Sequence, residues 1–188
     1  MVLMSLNKNY QQCLMDIAKR SIENGLLKNK PLRIDLSDFP KELTQYAATF
    51  VTLEKHHQLR GCIGMLKATR ALVEDVAENA YLAAFKDPRF PPLSKEELKE
   101  IDIHISILTA PEPMSFKSEQ DLLNQLQPHI DGLILEDKYH RGTFLPSVWD
   151  HLPEPKEFLR NLKQKAGLTP DYWSDDIIIY RYQAEIIN

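Results

Sequence analysis

Cysteine, excess basic charge and long apolar runs are all scarce in this sequence, and each scarcity excludes a class of protein. Neither of the two cysteines, Cys13 and Cys62, lies in a Cys-x-x-Cys pair, so the disulfide framework of a small secreted domain is excluded. No apolar run approaches the ~20 residues that cross a bilayer. The N-terminal segment shows no apolar stretch with a cleavage site of the secretory kind. We therefore predict a cytoplasmic protein with no membrane-spanning helix.

The charge balance disfavours nucleic acid as a partner. Lysine and arginine number 23 against 27 acidic residues, which gives a net charge of -4. Proteins that bind nucleic acid over a broad face carry a basic excess, so only a local basic patch is compatible with this balance.

Several common catalytic motifs are also missing. The sequence contains no phosphate-binding loop, no Gly-x-Gly-x-x-Gly, no His-Glu-x-x-His and no Gly-x-Ser-x-Gly. Three histidines recur about ten residues apart, at His129, His140 and His151, but this spacing places no two of them on one face by any local rule. We predict no metal site; the alternative is a histidine site that assembles only in three dimensions. No particular cofactor is indicated.

The composition is that of a globular protein. Of the 188 residues, 43% are hydrophobic and 27% are charged, and there is no repeat, low-complexity segment or linker. A chain of this length is about the size of one domain. We predict a single domain over residues 1–188.

Periodicity predicts a mixture of helices and strands. Helices are predicted over residues 9–28 with Gly25 as terminator, 69–86, 94–99 with a capping box of Ser94 and Glu97, 118–126, and 155–166 closed by Gly167. Strands are predicted over residues 46–55, 58–66, 101–108, 133–136, 142–145 and 177–187. Three prolines make residues 87–93 irregular. Without strict alternation of strands and helices, this order predicts an α+β fold with a largely antiparallel sheet flanked by helices.

The most unusual segment is Leu59–Gly64, which reads LRGCIG. Strand alternation places Arg60, Cys62 and Gly64 on one face. The other face, which we expect to join the core, consists of Leu59, Gly61 and Ile63. We expect Gly64 to leave space beside the sulfur and Gly61 to admit another backbone from behind.

This pattern fits a reactive thiol. The α-carbons of Arg60 and Cys62 would lie roughly 7 Å apart on one face of a strand. A nearby guanidinium favours the thiolate, which is the nucleophilic form of cysteine. The alternative is structural: Cys62 is a small apolar residue that permits tight packing, and Arg60 pairs with a carboxylate of the scaffold.

Two further residues are candidates for the same site. Arg89 lies on the rigid segment 87–93, where it would contact an anion; alternatively, Asp87 and Arg89 pin this loop while Phe90 fills the core. His104 falls on the polar face of the strand 101–108 and would serve as a base if that face meets Cys62. The alternative for His104 is an ordinary exposed histidine.

Five segments occur in a recognisable order: LRGCIG at 59–64, AAFKDPRFPPL at 83–93, HISIL at 104–108, GTFLPSVW at 142–149 and EFLRNLKQKAGL at 157–168. Together they resemble the AMMECR domain family, whose bacterial and archaeal members are called AmmeMemoRadiSam system protein A. The resemblance covers about residues 10–185. His104 departs from the family pattern, in which an acidic residue is more common at that position.

The resemblance implies an α+β fold with a larger lobe built from both chain ends and a smaller lobe built from internal segments. It implies an active site or binding cleft at the signature LRGCIG, and association with Memo-type and radical SAM proteins. Two hypotheses follow. The first is a thiol-dependent enzyme or ligand-binding protein with Cys62 as nucleophile and a cleft formed by Arg60, Gly61, Gly64 and Arg89. The second is a non-catalytic partner or regulatory protein of Memo-type and radical SAM proteins.

Overall fold

The computed structural model describes residues 6–188, which form two compact units. Unit 1 runs to Thr109 and takes in Glu185–Asn188 as well, while unit 2 consists of Ala110–Ala184. Across residues 6–188, no helix combines the length and apolar character that a bilayer span requires. The assignment of the whole chain to one domain stays a prediction.

Five α-helices, three short 3-10 helices and nine strands make up the described part of the chain, and most of the predicted elements are found within a few residues of their predicted bounds. The predicted helix 94–99 is wrong, because only a 3-10 turn at Glu97–Glu100 forms there before the next strand begins at Ile101. The helices are α1 (Lys8–Lys28), α2 (Lys41–Thr44), α3 (Leu72–Phe85), α4 (Glu119–Gln125) and α5 (Pro155–Lys165). The strands are β1 (Tyr46–Lys55), β2 (Gln58–Gly64), β3 (Arg70–Ala71), β4 (Ile101–Leu108), β5 (Glu112–Pro113), β6 (Gly132–Asp137), β7 (His140–Phe144), β8 (Ile178–Tyr182) and β9 (Ala184–Ile187). The predicted α+β fold is confirmed, with two antiparallel sheets in place of one.

Unit 1 is a sheet in the order β2-β1-β4-β9, with β3 paired to the beginning of β1. The hairpin between β1 and β2 turns at His56 and His57, both with positive φ (52° and 62°), as a two-residue turn that matches the strand twist requires. Helices α1 and α3 cover one face of the sheet. Alternate residues of the strands, such as Ile105 and Ile107, are buried on that face with the apolar sides of both helices.

The end of α1 differs from the prediction. The helix passes through Gly25 and ends at Lys28. The next residue, Asn29, caps it: Asn29 adopts the left-handed conformation (φ 54°) and donates its N–H to the carbonyl of Gly25. A Cβ at Gly25 would lie 2.3 Å from the ring of Phe85. The prediction of Gly25 as terminator is therefore wrong, because this glycine allows the aromatic side chains of α3 to approach α1.

Unit 2 is a four-stranded sheet in the order β5-β8-β6-β7, covered by α4 and α5. Trp149 and Phe158 stack in its core with ring centroids 3.8 Å apart. Helix α5 is followed, as predicted, by Gly167 at positive φ (86°). The predicted strand 177–187 is wrong as one element, because β8 pairs with β6 in unit 2 whereas β9 pairs with β4 in unit 1.

Candidate functional site

A β-bulge at Arg60 determines which side chains share a face with Cys62. Along β1, Leu53 lies opposite Gly61, but the next residue, Glu54, lies opposite Leu59. Arg60 is therefore an extra residue on β2. As a result, Leu59 joins the face that carries Cys62, where it is 45% exposed. The prediction that Leu59 faces the core is wrong, because the bulge interrupts the strand alternation.

The two glycines of the signature fit tightly against their neighbours. A Cβ at Gly61 would lie 2.2 Å from the carbonyl oxygen of Ala83, so α3 approaches β2 from behind as predicted. A Cβ at Gly64 would lie 2.4 Å from Phe50 Cγ and 2.3 Å from the carbonyl oxygen of Thr49. The space predicted beside Cys62 at Gly64 is therefore filled by β1.

The thiol of Cys62 is half-buried and accepts a hydrogen bond. Thr52 lies directly opposite Cys62 on β1, and its hydroxyl Oγ1 donates to Sγ over 3.2 Å. Among residues 6–188, Cys62 forms no disulfide. A hydroxyl donor at this position stabilises a thiolate more than a thiol, because hydrogen bonds to an ionised acceptor are stronger.

One ion pair holds both backbone groups of Cys62. Its N–H donates to Asp87 Oδ2 at 2.9 Å, and its carbonyl accepts from Arg89 Nη2 at 3.3 Å. Arg89 also donates through Nε to Oδ1 (2.9 Å) and through Nη2 to Oδ2 (2.7 Å) of Asp87. β2 is an edge strand, so these side chains occupy hydrogen-bonding positions that a neighbouring strand would otherwise use.

The charges of Asp87, Arg89 and Cys62 influence one another. The Asp87 carboxylate is buried, and the Arg89 guanidinium beside it holds the pKa of that carboxyl well below its usual range. The pKa of Arg89 is raised, first by its hydrogen bonds to Asp87 and, more weakly, by the charge of Cys62. Arg89 is therefore a cation within electrostatic reach of Cys62, although it is held in an ion pair with Asp87.

Arg60 is directed to a different carboxylate. Its Nε and Nη2 donate to the two carboxylate oxygens of Glu97, each at 3.0 Å, and Nη2 also donates to the carbonyl of Pro91 at 2.9 Å. Glu97 forms the predicted capping box with Ser94 through reciprocal bonds of 3.1 and 3.3 Å. The guanidinium lowers the pKa of Glu97 to about 2. Arg60 thus has the scaffold partner that the structural alternative expected.

Phe90 brings the two arginines together. The guanidinium carbons of Arg60 and Arg89 lie 5.8 and 5.5 Å from the centroid of its ring, within the range of cation–π contact. Phe90 is half-buried and is outside the core of unit 1. The alternative in which Phe90 fills the core is therefore wrong, whereas Asp87 and Arg89 do pin the loop.

His104 shares the face of Cys62 but has other partners. It lies opposite Thr52 on β4, so Thr52 stands between the imidazole and the thiol. Its Nδ1 is 2.7 Å from Asn188 Oδ1, and its Nε2 is 3.6 Å from Glu54 Oε2. Within residues 6–188, no three histidine, cysteine, aspartate or glutamate side chains are grouped as a metal site requires.

Sequence reasoning missed two hydrogen bonds of Cys62. Thr52 donates to its sulfur, and the N–H of Cys62 donates to Asp87. The first depends on hairpin register, which could be counted from the two-residue turn at His56 and His57. The contact of Asp87 is harder to predict from the sequence, because the only indication is that Asp87 lies two residues before Arg89. The predicted residues Arg60, Gly61, Cys62, Gly64 and Arg89 all lie on β2 or on the loop beside it. Their roles as site residues stay predictions.

The fold and this signature strand define an α+β protein with two antiparallel sheets and a cysteine on the edge strand of one of them. The same fold is found in the crystal structure of an uncharacterized protein, PH0010, from Pyrococcus horikoshii. The TM-score is 0.89 with 34% sequence identity, over 96% of this chain and 92% of that one.

Sequence comparison gives the family. The model of the AMMECR1 family matches residues 15–187. A protein from Methanothermobacter thermautotrophicus is 40% identical over 97% of this chain and 96% of its own length. Protein MJ0810 from Methanocaldococcus jannaschii is 38% identical over 90% and 85% of the two chains. This chain belongs to the AMMECR1 family, as its resemblance predicted.

Proposed function

We propose that this protein is a thiol-dependent enzyme in which Cys62 is the nucleophile. The observation that carries the proposal is the hydroxyl of Thr52, which donates to Sγ over 3.2 Å on a strand whose backbone is fixed at Cys62 by Asp87 and Arg89. A positioned sulfur with a hydrogen-bond donor and a nearby cation is the arrangement that activates a cysteine.

The proposed step is group transfer through sulfur. The thiolate of Cys62 attacks an electrophilic carbon of the substrate, such as an acyl carbon, and a carbon–sulfur bond forms as the leaving group departs with its bonding electron pair. A second nucleophile then attacks the same carbon and releases the thiolate. Arg89 and Thr52 stabilise the negative sulfur before attack and after release.

The other predicted site residues support this step without touching the reacting atoms. Arg60 joins β2 to the capping box at Glu97. Gly61 admits α3 behind the strand, and Gly64 brings β2 against β1. These contacts fix the position of Cys62 along the edge of the sheet, and mobility of the thiol by about 1 Å would cost much of the rate.

The second candidate function is that of a non-catalytic partner. Both arginines near Cys62 are already neutralised by carboxylates, and this favours a scaffold rather than a reaction centre. Leu59 is exposed on the face of Cys62 and offers an apolar contact. The family resemblance makes Memo-type and radical SAM proteins the partners to test. Neither Cys13 nor Cys62 lies in a disulfide among the described residues, which is compatible with the reducing cytoplasm, where we propose that the protein acts.

The alkylation rate of Cys62 by iodoacetamide, measured against pH by mass spectrometry, tests the proposal. An activated thiol should react at a rate that stays constant down to about pH 6.5, because reactive cysteines have a pKa of roughly 3.5–7.5. Cys13 is the internal reference, since burial and nearby Asp16 raise its pKa. A Cys62 midpoint near the ordinary ~8.5 would contradict the enzyme.

The variant Cys62→Ser separates the two candidate functions. For an enzyme, it should keep the fold and lose all turnover of whatever substrate is found. For a partner protein, a stoichiometric Memo-type or radical SAM protein should co-purify equally well with the wild type and with Cys62→Ser. Retention of full activity by Cys62→Ser would exclude a catalytic thiol.

A further inference from the structure

We infer that the thiol site accepts a substrate with an oxyanion group, a carboxylate or a phosphate, close to its electrophilic carbon, and that Nη1 of Arg89 binds this group. The inference rests on the proposed function, because it places the anion beside the sulfur of Cys62. It assigns to Arg89 a substrate contact in addition to its bonds within the loop.

The hydrogen-bond donors of Arg89 show which part of the side chain remains available. A guanidinium has five N–H donors. Nε–H donates to Asp87. One hydrogen of Nη2 donates to Asp87, and the other donates to the carbonyl of Cys62. Within residues 6–188, no protein atom accepts a hydrogen bond from Nη1. An oxyanion is the acceptor that a guanidinium binds most strongly.

Arg89 is held rigidly and yet is open to solvent. Its side chain is 53% exposed, whereas that of Asp87 is 2% exposed. The buried carboxylate fixes the orientation of the guanidinium, so little side-chain entropy is lost when an anion binds. Hydrogen bonding to Asp87 uses only one edge of the planar group, so the donors of Nη1 remain available although the carboxylate neutralises the net charge of the pair.

Arg60 shows by contrast why Arg89 is the binding residue. Its Nη1 is also without a partner among the described residues, but that nitrogen is buried, and the side chain is only 9% exposed. An anion from solvent can therefore reach Nη1 of Arg89 but not Nη1 of Arg60. Arg89 is also the arginine that bonds to the carbonyl of Cys62.

The experiment compares two alkylating reagents that attack the same sulfur. Iodoacetate carries a carboxylate next to its reactive carbon, whereas iodoacetamide is neutral, and each reaction forms a carbon–sulfur bond and releases iodide. The ratio of their rate constants at Cys62 is compared with the ratio for the small neutral thiol N-acetylcysteinamide. We expect the ratio at Cys62 to be at least tenfold higher, with a rate that saturates as iodoacetate concentration rises.

Competition identifies the source of the oxyanion. If the site binds carboxylates, acetate should slow the reaction of Cys62 with iodoacetate more than its reaction with iodoacetamide. If the site binds phosphates, inorganic phosphate should have this effect. A ratio equal to that of the reference thiol would overturn the inference. A raised ratio would also overturn the inference if the rate does not saturate with iodoacetate and the ratio falls only as ionic strength rises. Such a result would reflect the overall electrostatic potential of the protein rather than a binding site.

Variants assign the effect to Arg89. The double variant Asp87→Asn/Arg89→Gln removes both charges together, so that no buried carboxylate is left unpaired, and it should reduce the ratio to that of the reference thiol. Lys86→Gln removes one exposed cation at the end of α3, next to the loop that carries Arg89, and should leave the ratio unchanged. If the double variant fails to fold, Arg89→Lys replaces it and should reduce the ratio at least threefold. An undiminished ratio in a folded variant would overturn the inference.

The proposed function and this inference fail separately. Slow reaction of Cys62 with iodoacetamide at every pH near neutrality would refute the activated thiol. A saturable preference for iodoacetate in the same protein would still support an oxyanion site at Arg89. Fast reaction with both reagents and no preference would support the thiol and overturn the oxyanion site.

Discussion

Two arginine–carboxylate pairs flank Phe90 with the same hydrogen-bonding pattern and opposite burial. In each pair, Nε and Nη2 bind the two carboxylate oxygens, and Nη2 also donates to a backbone carbonyl. In the Arg60–Glu97 pair, the arginine side chain is 9% exposed and the carboxylate 25%. In the Arg89–Asp87 pair, the carboxylate is buried and the guanidinium is open.

The direction of burial, rather than the ion pair itself, distinguishes Arg89, the proposed binding group, from Arg60, which joins two segments of the scaffold. A buried guanidinium with a solvated carboxylate can hold two segments together but offers no cation to a ligand. A buried carboxylate with a solvated guanidinium presents an oriented cation. The two pairs can therefore be compared by mutation. The main readout is stability for the Arg60–Glu97 pair and the alkylation of Cys62 for the Arg89–Asp87 pair.

Removal of Glu97 should have the largest effect on stability. Glu97→Ala leaves the buried guanidinium of Arg60 without a counter-charge, and breaking a buried pair in this way costs about 3–5 kcal/mol of unfolding free energy. The matched control Glu100→Ala removes a more exposed carboxylate that pairs with Lys55 and His56, and it should cost less than about 1 kcal/mol.

The measurement must report on unit 1 alone. Both tryptophans, Trp149 and Trp173, lie in unit 2, so their fluorescence follows that unit. Pulsed alkylation of Cys13 on α1 in increasing urea follows unit 1. Equal shifts for Glu97→Ala and Glu100→Ala would show that the buried pair has no special role in stability.

Acid should weaken unit 1 through the same carboxylate. The pKa of Glu97 is about 2 in the folded protein, below its ordinary value of 4.5. Its contribution to stability is therefore complete above pH 4.5 and is lost as the pH falls towards 2, with a slope of up to about 1.4 kcal/mol per pH unit. Glu97→Gln should flatten this part of the pH profile in urea titrations. An unchanged slope would place the acid sensitivity elsewhere, with Asp87 the next carboxyl to replace.

The same conservative substitution should have different effects at the two arginines. Arg60→Lys loses the planar fork in a buried setting and should lower the unfolding free energy by about 2 kcal/mol. Arg89→Lys keeps a solvated charge and should cost less than about 1 kcal/mol, while it reduces the preference of Cys62 for iodoacetate. If both variants destabilise unit 1 equally and neither changes alkylation, the contrast between the pairs is wrong.

The smallest effect is expected at Phe90, which contacts both guanidinium groups. Phe90→Leu keeps an apolar side chain but removes the aromatic face, and should cost about 1 kcal/mol in total. The loss should be accompanied by a slower reaction of Cys62 with iodoacetate if the ring helps to orient Arg89. A double variant with Arg89→Lys should show whether the two effects are coupled.

The sequence predicted most elements of the fold but not the arrangement of the site. β1 and β4 have the predicted bounds because their alternation is regular and their turns are clear. The bulge at Arg60 was not foreseen, since alternation assumes one residue opposite one residue. Its consequence is large: Leu59 moves to the face of Cys62, and Arg60 turns towards Glu97.

Two further errors have the same physical origin, which is that local patterns do not specify the pairing partner. Residues 177–187 keep one apolar alternation, yet the chain changes sheets around Gln183. Gly64 lacks a side chain, but whether that creates space depends on Phe50 of the neighbouring strand. Contacts across strands therefore carry the information that the sequence analysis lacked.

The last strand has a consequence for synthesis on the ribosome. β9 completes the sheet of unit 1 beside β4, and Glu185 accepts hydrogen bonds from the N–H of Leu6 at 3.0 Å and from the side chain of Gln11 at 3.2 Å. All of unit 2 is translated between β4 and this strand. A nascent chain can therefore complete unit 2 while the edge of β4 is still unpaired and open to other chains. Translation must deliver residues 185–188 before unit 1 is protected from misassembly.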